Sequence, residues 1–249
     1  MTDTFTKNAS QLEVDWESAG LEWLRAAGGI RVVRVHSSAG GKLVEDRLHE
    51  ISPTKHDAED FGRALWTTHQ AGAPAFGAAP PGWDESTDGW IGRARLPLGR
   101  YESWGKFYAE LRVLPYLKQA VDQGDAHGPG VKQIEAICDR LIAGEFDDSC
   151  PPARIHGDLW AGNVIGTADG ITVIDPAAHG GHGESDLAML ALFGHPQLRT
   201  IQDAYAEVAQ LDSAWRTRIG LHQLFPLLVH TVLFGGGYWR QATDVIRTL

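Results

Sequence analysis

At 249 residues, with a formal net charge of −10 and 43% hydrophobic residues, the chain can build one large domain or two small lobes around a cleft, with a sizeable core. The acidic balance excludes a general nucleic-acid binder, which would present a basic face. The polar start Met1-Thr2-Asp3-Thr4 lacks a leader's apolar core, and the longest apolar run, Leu224 to Phe234, is too short to span a bilayer, so a cytoplasmic protein with no membrane partner and reduced thiols at Cys138 and Cys150 is expected.

Phe5-Thr6-Lys7 reads as the end of a short strand. Val14 to Ala27 predicts a helix, with Val14, Leu21 and Leu24 on one stripe and Gly28-Gly29 as its stop. Ile30 to His36 and Lys42 to Asp46 are expected as strands across the Ser-Ser-Ala-Gly-Gly turn. Glu45 to Ser52 then connects to a helix over Asp57 to Ala71, ended by Gly72. Residues 73 to 101, with several Pro and Gly, predict a long irregular loop, and such loops are usually functional or disordered. This one carries Trp83, Asp88, Trp90 and Arg93. Helices are expected over Trp104 to Ala120 and Gly130 to Ala143, and Leu224 to Phe234 reads as a buried helix. Val164-Ile165, a turn over Gly166 to Gly170, and Ile171 to Ile174 form a β-hairpin signature. Gly180-Gly181-His182-Gly183 reads as a turn.

The chemistry concentrates in His156-Gly157-Asp158-Leu159-Trp160-Ala161-Gly162-Asn163 and in Asp175, at the end of the following hairpin strand. An Asp, an Asn five positions on and a later Asp at a strand end form the apparatus of kinase-like phosphotransferases. One carboxylate takes the proton from an attacking hydroxyl; an amide and a second carboxylate hold Mg²⁺ on the ATP phosphates. Asp158 is therefore the candidate base, and Asn163 and Asp175 the candidate metal ligands, a small set of hard oxygens of the kind Mg²⁺ prefers. The hairpin brings Asn163 and Asp175 together at its open end. The His and acidic residues after Asp175 also suggest a metal hydrolase, but no His-x-x-x-His helix or comparable ligand set is present.

His-Gly-Asp-Leu-Trp-x-Gly-Asn followed by Asp175-Pro176-Ala177 resembles the fructosamine kinase (ketosamine kinase) family, within the aminoglycoside phosphotransferase and protein-kinase-like superfamily. The likeness runs through Gly181-His182-Gly183-Glu184-Ser185-Asp186-Leu187-Ala188-Met189 and Leu233-Phe234-Gly235-Gly236-Gly237-Tyr238, and upstream through Thr68-His69-Gln70-Ala71-Gly72 and Trp90-Ile91-Gly92. It implies an α+β, protein-kinase-like fold: a small, truncated β lobe over residues 1–50 that binds nucleotide, and a mostly helical lobe over 51–249 that carries catalysis and the acceptor. Lys7 and Glu17 then correspond to the phosphate-binding lysine and its acidic partner. Asp46 and Leu48 lie in the hinge that meets the adenine. Trp90, in the segment similar to the family's substrate-side insertion, is a candidate acceptor contact, as is His179, where relatives carry Tyr. Trp160 can pack against a sugar's apolar face or serve as a core anchor. Asp186 is expected to hold the catalytic loop through backbone hydrogen bonds.

The implied reaction is phosphorylation of a fructosamine or ribulosamine adduct on a small amine or a protein lysine, with ATP and Mg²⁺. A kinase for another small alcohol, such as an aminoglycoside or an amino alcohol, and a catalytically silent binding protein remain alternatives. Family members carry two further strands and a phosphate-covering loop before the lysine. Their absence here predicts weak ATP affinity, with a Kd on the order of 0.1–1 mM. The residues carry no signal for an oligomeric state.

Overall fold

A computed structural model of the chain describes residues 3–247, so Met1 and Thr2 of the polar start lie outside it. Strand β1 (Thr4–Asn8) leads into helix α1 (Gln11–Ala26), which opens on a capping box between Ser10 and Glu13. Three short strands follow: β2 (Arg31–Val32), β3 (Val35–Ala39) and β4 (Lys42–Asp46). Strand β4 lies between β1 and β3, antiparallel to both, and sets Lys7 opposite Leu43. Val14, Leu21, Val33 and Leu43 form the small core between this sheet and α1.

The strand expected over Ile30 to His36 is divided. Arg31–Val32 pairs in parallel with Thr172–Val173 of the later hairpin, and Val33 N–H donates to Val173 O at 3.0 Å. Only Val35 onward pairs with β4. One segment thus serves two sheets, and it stitches the first 50 residues to the hairpin that ends at Asp175.

Helix α2 (Lys55–Gln70) opens on a second capping box, between Thr54 and Asp57, and stops before Gly72, whose φ is 71°. The segment 73–101, expected to be irregular, contains a β-hairpin of β5 (Gly89–Ile91) and β6 (Ala94–Leu96). Trp90, Ile91 and Leu96 are buried there, and Trp16 of α1 donates to Trp90 O at 2.9 Å. Apolar burial, which the Pro and Gly content conceals, orders this segment.

The helix expected over Trp104 to Ala120 is interrupted. It begins as α3 (Trp104–Phe107), passes through a π-helical turn over Tyr108–Val113, and resumes as α4 (Leu114–Gln123). Pro115 has no N–H to return to Leu111 O, which instead accepts from Arg112 Nη1 at 3.1 Å. Helix α5 (Pro129–Ile142) follows, then β7 (Ala153–Ile155), the hairpin β8 (Val164–Thr167) and β9 (Gly170–Val173), and β10 (His179–Gly181).

The stretch from Gly180, expected as a turn, is in part this last strand, which pairs with β7. A Cβ on Gly180 would stand 2.0 Å from Ala75 O, and one on Gly181 2.3 Å from Ile155 Cδ1. The glycines are there for close backbone approach.

Helices α6 (Gly183–Leu192), α7 (Leu198–Ala209), α8 (Trp215–Phe234) and α9 (Gly237–Ile246) complete the larger lobe. Two cores fill it. One gathers Phe107, Ile134, Leu141, Leu224 and Leu228; the other joins Phe61, Leu65, Leu159, Val164, Leu187 and Ile201. Cys138 and Cys150 are free thiols. Among the described residues, no helix is long and apolar enough to cross a membrane.

Pro226 lies inside α8 and cannot donate to His222 O. The buried Tyr108 hydroxyl takes up the loss: it lies 3.0 Å from His222 O and 2.8 Å from Leu221 O, and accepts from Phe225 N–H at 3.0 Å. Tyr108→Phe keeps the ring but strands these groups. Urea unfolding should show a loss of about 1–3 kcal/mol, the scale of an orphaned buried polar group; an unchanged midpoint would contradict this account of the break.

Candidate active site

The loop after β7 is built to aim Asp158. Gly157 sits at φ 80°, and a Cβ there would stand 2.2 Å from Ala177 O. Leu159 is fully buried and anchors the loop in the second core. The carboxylate of Asp186 accepts from His156 N–H at 2.8 Å and Gly157 N–H at 2.9 Å, and its Oδ2 lies 3.0 Å from His69 Nε2. Burial alone would raise Asp186; the His69 contact and the backbone donors outweigh it and hold the carboxyl below its ordinary value.

Trp160 N–H and the Asn163 side-chain amide both donate to Asp158 O, at 3.0 and 2.9 Å. The same amide nitrogen reaches Asp158 Oδ2 at 3.3 Å and Asp175 O at 3.4 Å. Its carbonyl oxygen is therefore turned away from these acceptors. Ile174 N–H donates to Asn163 O at 3.2 Å, closing the hairpin's open end. Asp175 follows at φ 54°, a left-handed conformation that few non-glycine residues adopt.

Lys7 Nζ contacts Asp175 Oδ1 and lies 2.6 Å from Glu17 Oε1 and 3.2 Å from Glu45 Oε1. Burial works against its charge, but Glu17 and Asp175 outweigh burial and hold the ammonium above its ordinary range. Burial pushes Glu17 and Glu45 upward against the pull of Lys7. Glu45 is the residue the sequence reading missed in this role. It alternates with Leu43 on the inward face of β4, and that alternation was the available signal.

A cavity of about 330 Å³ is bounded by Glu17, Trp90, Asp158, Trp160, Asn163 and Asp175. The fold thus brings Asp158, Asn163, Asp175, Lys7, Glu17, Trp90 and Trp160 to one cleft. Trp160 is 39% exposed with its edge on Phe193, so it serves as a wall of the cleft and not as a core anchor. Asp46 and Leu48 do not line this cavity. Asp46 contacts His36 Nε2 at 2.6 Å, and Leu48 packs against the small core under α1. His179 is turned away from the cleft, because pairing of β10 with β7 directs it inward. It is 2% exposed, with Nδ1 2.7 Å from Ala177 O and Nε2 receiving Arg112 Nε at 3.4 Å.

Burial, with the Asp175 charge adding to it, pushes the Asp158 carboxyl up to about 7. This suits proton acceptance near neutrality. Asn163 and Asp175 offer hard oxygens, and Asp175 already faces a cation in the form of Lys7, so the donor set fits Mg²⁺.

A family model for fructosamine kinase matches residues 5–249. The chain belongs to the fructosamine kinase family. A crystal structure of a protein assigned as a fructosamine-3-kinase from Thermobifida fusca is 45% identical, with a TM-score of 0.89 over 98% of this chain and 84% of that one. A protein of Synechocystis sp. assigned as a ketoamine kinase is 35% identical over 93% of this chain and 76% of its own length. The choline kinase LicA from Streptococcus pneumoniae, at 15% identity, shares the fold with a TM-score of 0.61 over 99% of this chain and 86% of its own, which places the chain among the protein-kinase-like folds.

The raised Asp158 carboxyl has a stability consequence. The folded chain keeps a proton that the unfolded chain releases between about pH 4 and pH 7, so ionising Asp158 lowers stability as pH rises through that window. Asp158→Asn should therefore melt above the parent near pH 8, with the gap closing towards pH 4. Equal melting temperatures near pH 8 would contradict the buried-carboxylate reading.

Proposed function

We propose that the chain transfers the γ-phosphoryl group of ATP to a sugar hydroxyl of a ketoamine, a fructosamine or ribulosamine adduct on a small amine or a protein lysine. The observation that carries this is one cleft in which a carboxylate raised to about 7, Asp158, meets the Asn163–Asp175 pair and a charged Lys7. The family supplies the acceptor class.

Asp158 accepts the hydroxyl proton as that oxygen bonds to the γ-phosphorus and ADP leaves. Asn163 and Asp175 would hold Mg²⁺, which would supply charge neutralisation for the phosphates. Lys7, released from Asp175, turns to the phosphates, while Glu17 and Glu45 keep it charged and oriented. Residues 1–50 act as the nucleotide lobe, with Asp46 to Leu48 as the adenine hinge. Residues 51–249 act as the acceptor lobe, with Trp90 and Trp160 flanking the sugar. Because the Lys7–Asp175 contact has to open, the Kd for Mg·ATP is set on the order of 0.1–1 mM.

Phosphate transfer under saturating Mg·ATP tests the reading. A small ribulosamine should be phosphorylated faster than an aminoglycoside; the reverse order would move the chain to another kinase class. Asp158→Asn should lower turnover by about 10²–10⁴-fold, with calorimetric nucleotide binding retained. Wild-type turnover in that variant would remove Asp158 from its role. Asp175→Ala should keep its circular dichroism spectrum and lose Mg²⁺-dependent turnover, and unchanged activity would mean that another residue holds the ion.

A further inference from the structure

Beside the acidic cleft, and sharing Gly92, Asp158 and Trp160 with it, lies a second cavity of about 180 Å³. Its walls are Met189, Val229, Leu233 and Phe234, and its polar groups are Asp158 and His230. Among the described residues no lysine or arginine lines the second cavity, while Lys7 beside the first is already held by Glu17, Glu45 and Asp175, with Glu13 and Asp158 also facing that space.

Large apolar side chains stay exposed at this mouth. Phe234 is 61% exposed, Phe193 41% and Trp160 39%. The ring of His230 lies 5.0 Å from Phe193, 5.4 Å from Phe234 and 5.0 Å from Tyr238, centroid to centroid. His230 Nδ1 donates to Pro226 O at 2.7 Å, which fixes the tautomer and leaves Nε2 as an acceptor. Burial lowers its pKa below the ordinary value, so it stays neutral and adds no positive charge to the groove.

We infer that this aromatic groove is the subsite for the amine-side substituent of the acceptor, and that it selects ketoamines whose substituent is apolar or cationic and rejects those carrying a carboxylate. The inference rests on the ketoamine reading above and adds a rule of specificity to it. A ketoamine nitrogen is a secondary ammonium with N–H donors, and the groove meets it with the Asp158 carboxylate and His230 Nε2. Aromatic faces at the rim favour a nearby cation. A methylene stem packs on Leu233, Val229 and Phe234. A carboxylate on the same stem would lose its water against the apolar walls of this second cavity and find the Asp158 carboxyl and no cation there, since Lys7 in the adjoining cleft is taken up by Glu17, Glu45 and Asp175.

The test compares two ribulosamines that differ at one group: the adduct of n-butylamine and the adduct of γ-aminobutyrate. With the full chain and saturating Mg·ATP, kcat/KM should favour the butylamine adduct by about 10-fold or more, the size of one unfavourable charge contact. The gap should narrow at high salt. Phe234→Lys places a cation at the exposed rim and should raise kcat/KM for the carboxylated adduct while lowering it for the other. Equal kcat/KM for the two adducts in the parent, or a Phe234→Lys variant with the parent's preference, overturns the inference and leaves the kinase reading standing. Transfer to neither adduct overturns both.

Discussion

The buried carboxylate of Asp186 is the constraint on which the site depends. It sits at the start of α6, two residues after the strongly held Glu184–Arg218 pair, and reaches back to two consecutive amides, His156 and Gly157. Those amides open the loop that carries Asp158. A charge-assisted hydrogen bond to each amide fixes both the direction and the twist of the loop, which a single bond would leave free. His69 binds the same carboxylate from α2 and is itself 2.8 Å from the Tyr205 hydroxyl on α7. The loop is therefore referenced to three helices of the larger lobe through one side chain.

The groups so positioned are held in an unfavourable state. Asp158 is kept near neutrality by burial and by the like charge of Asp175. Asp175 stands in a left-handed backbone conformation with Pro176 after it. Lys7 is surrounded by Glu17, Glu45 and Asp175, more negative charge than it can neutralise alone. Each is costly to the free protein, and together they describe a cleft short of positive charge. A bound divalent cation would relieve the imbalance and would in turn attract the phosphates, which gives the proposed nucleotide site a physical reason beyond its family likeness.

How much was legible follows from the range over which each contact is encoded. Asp158, Asn163 and Asp175 were readable because a tight loop and one hairpin determine their relation. The capping of α1 and α2 was equally local. Contacts across the chain were not readable from the residues alone. Lys7 meets Asp175 across 168 positions, and only the family likeness suggested their proximity. Glu45 looked like part of a connector because its burial depends on which face of β4 meets α1. His179 stands four residues from Asp175, yet strand pairing turns it into the interior beside Arg112. The hairpin around Trp90 was hidden by the Pro and Gly of its flanks, and the split of the 30–36 segment between two sheets depends on Val173, which lies far along the chain.

If Asp186 positions the reacting loop without touching substrate, its effect must appear in turnover and not in nucleotide affinity. The direct measurement is kcat and the Mg·ATP Kd of Asp186→Asn, a change that preserves shape but weakens acceptance from His156 and Gly157. The account predicts a folded protein with the parent's nucleotide Kd and a kcat lowered by about 10²-fold or more, the cost of misplacing a catalytic group by roughly 1 Å. A folded Asp186→Asn variant with the parent's kcat would contradict it.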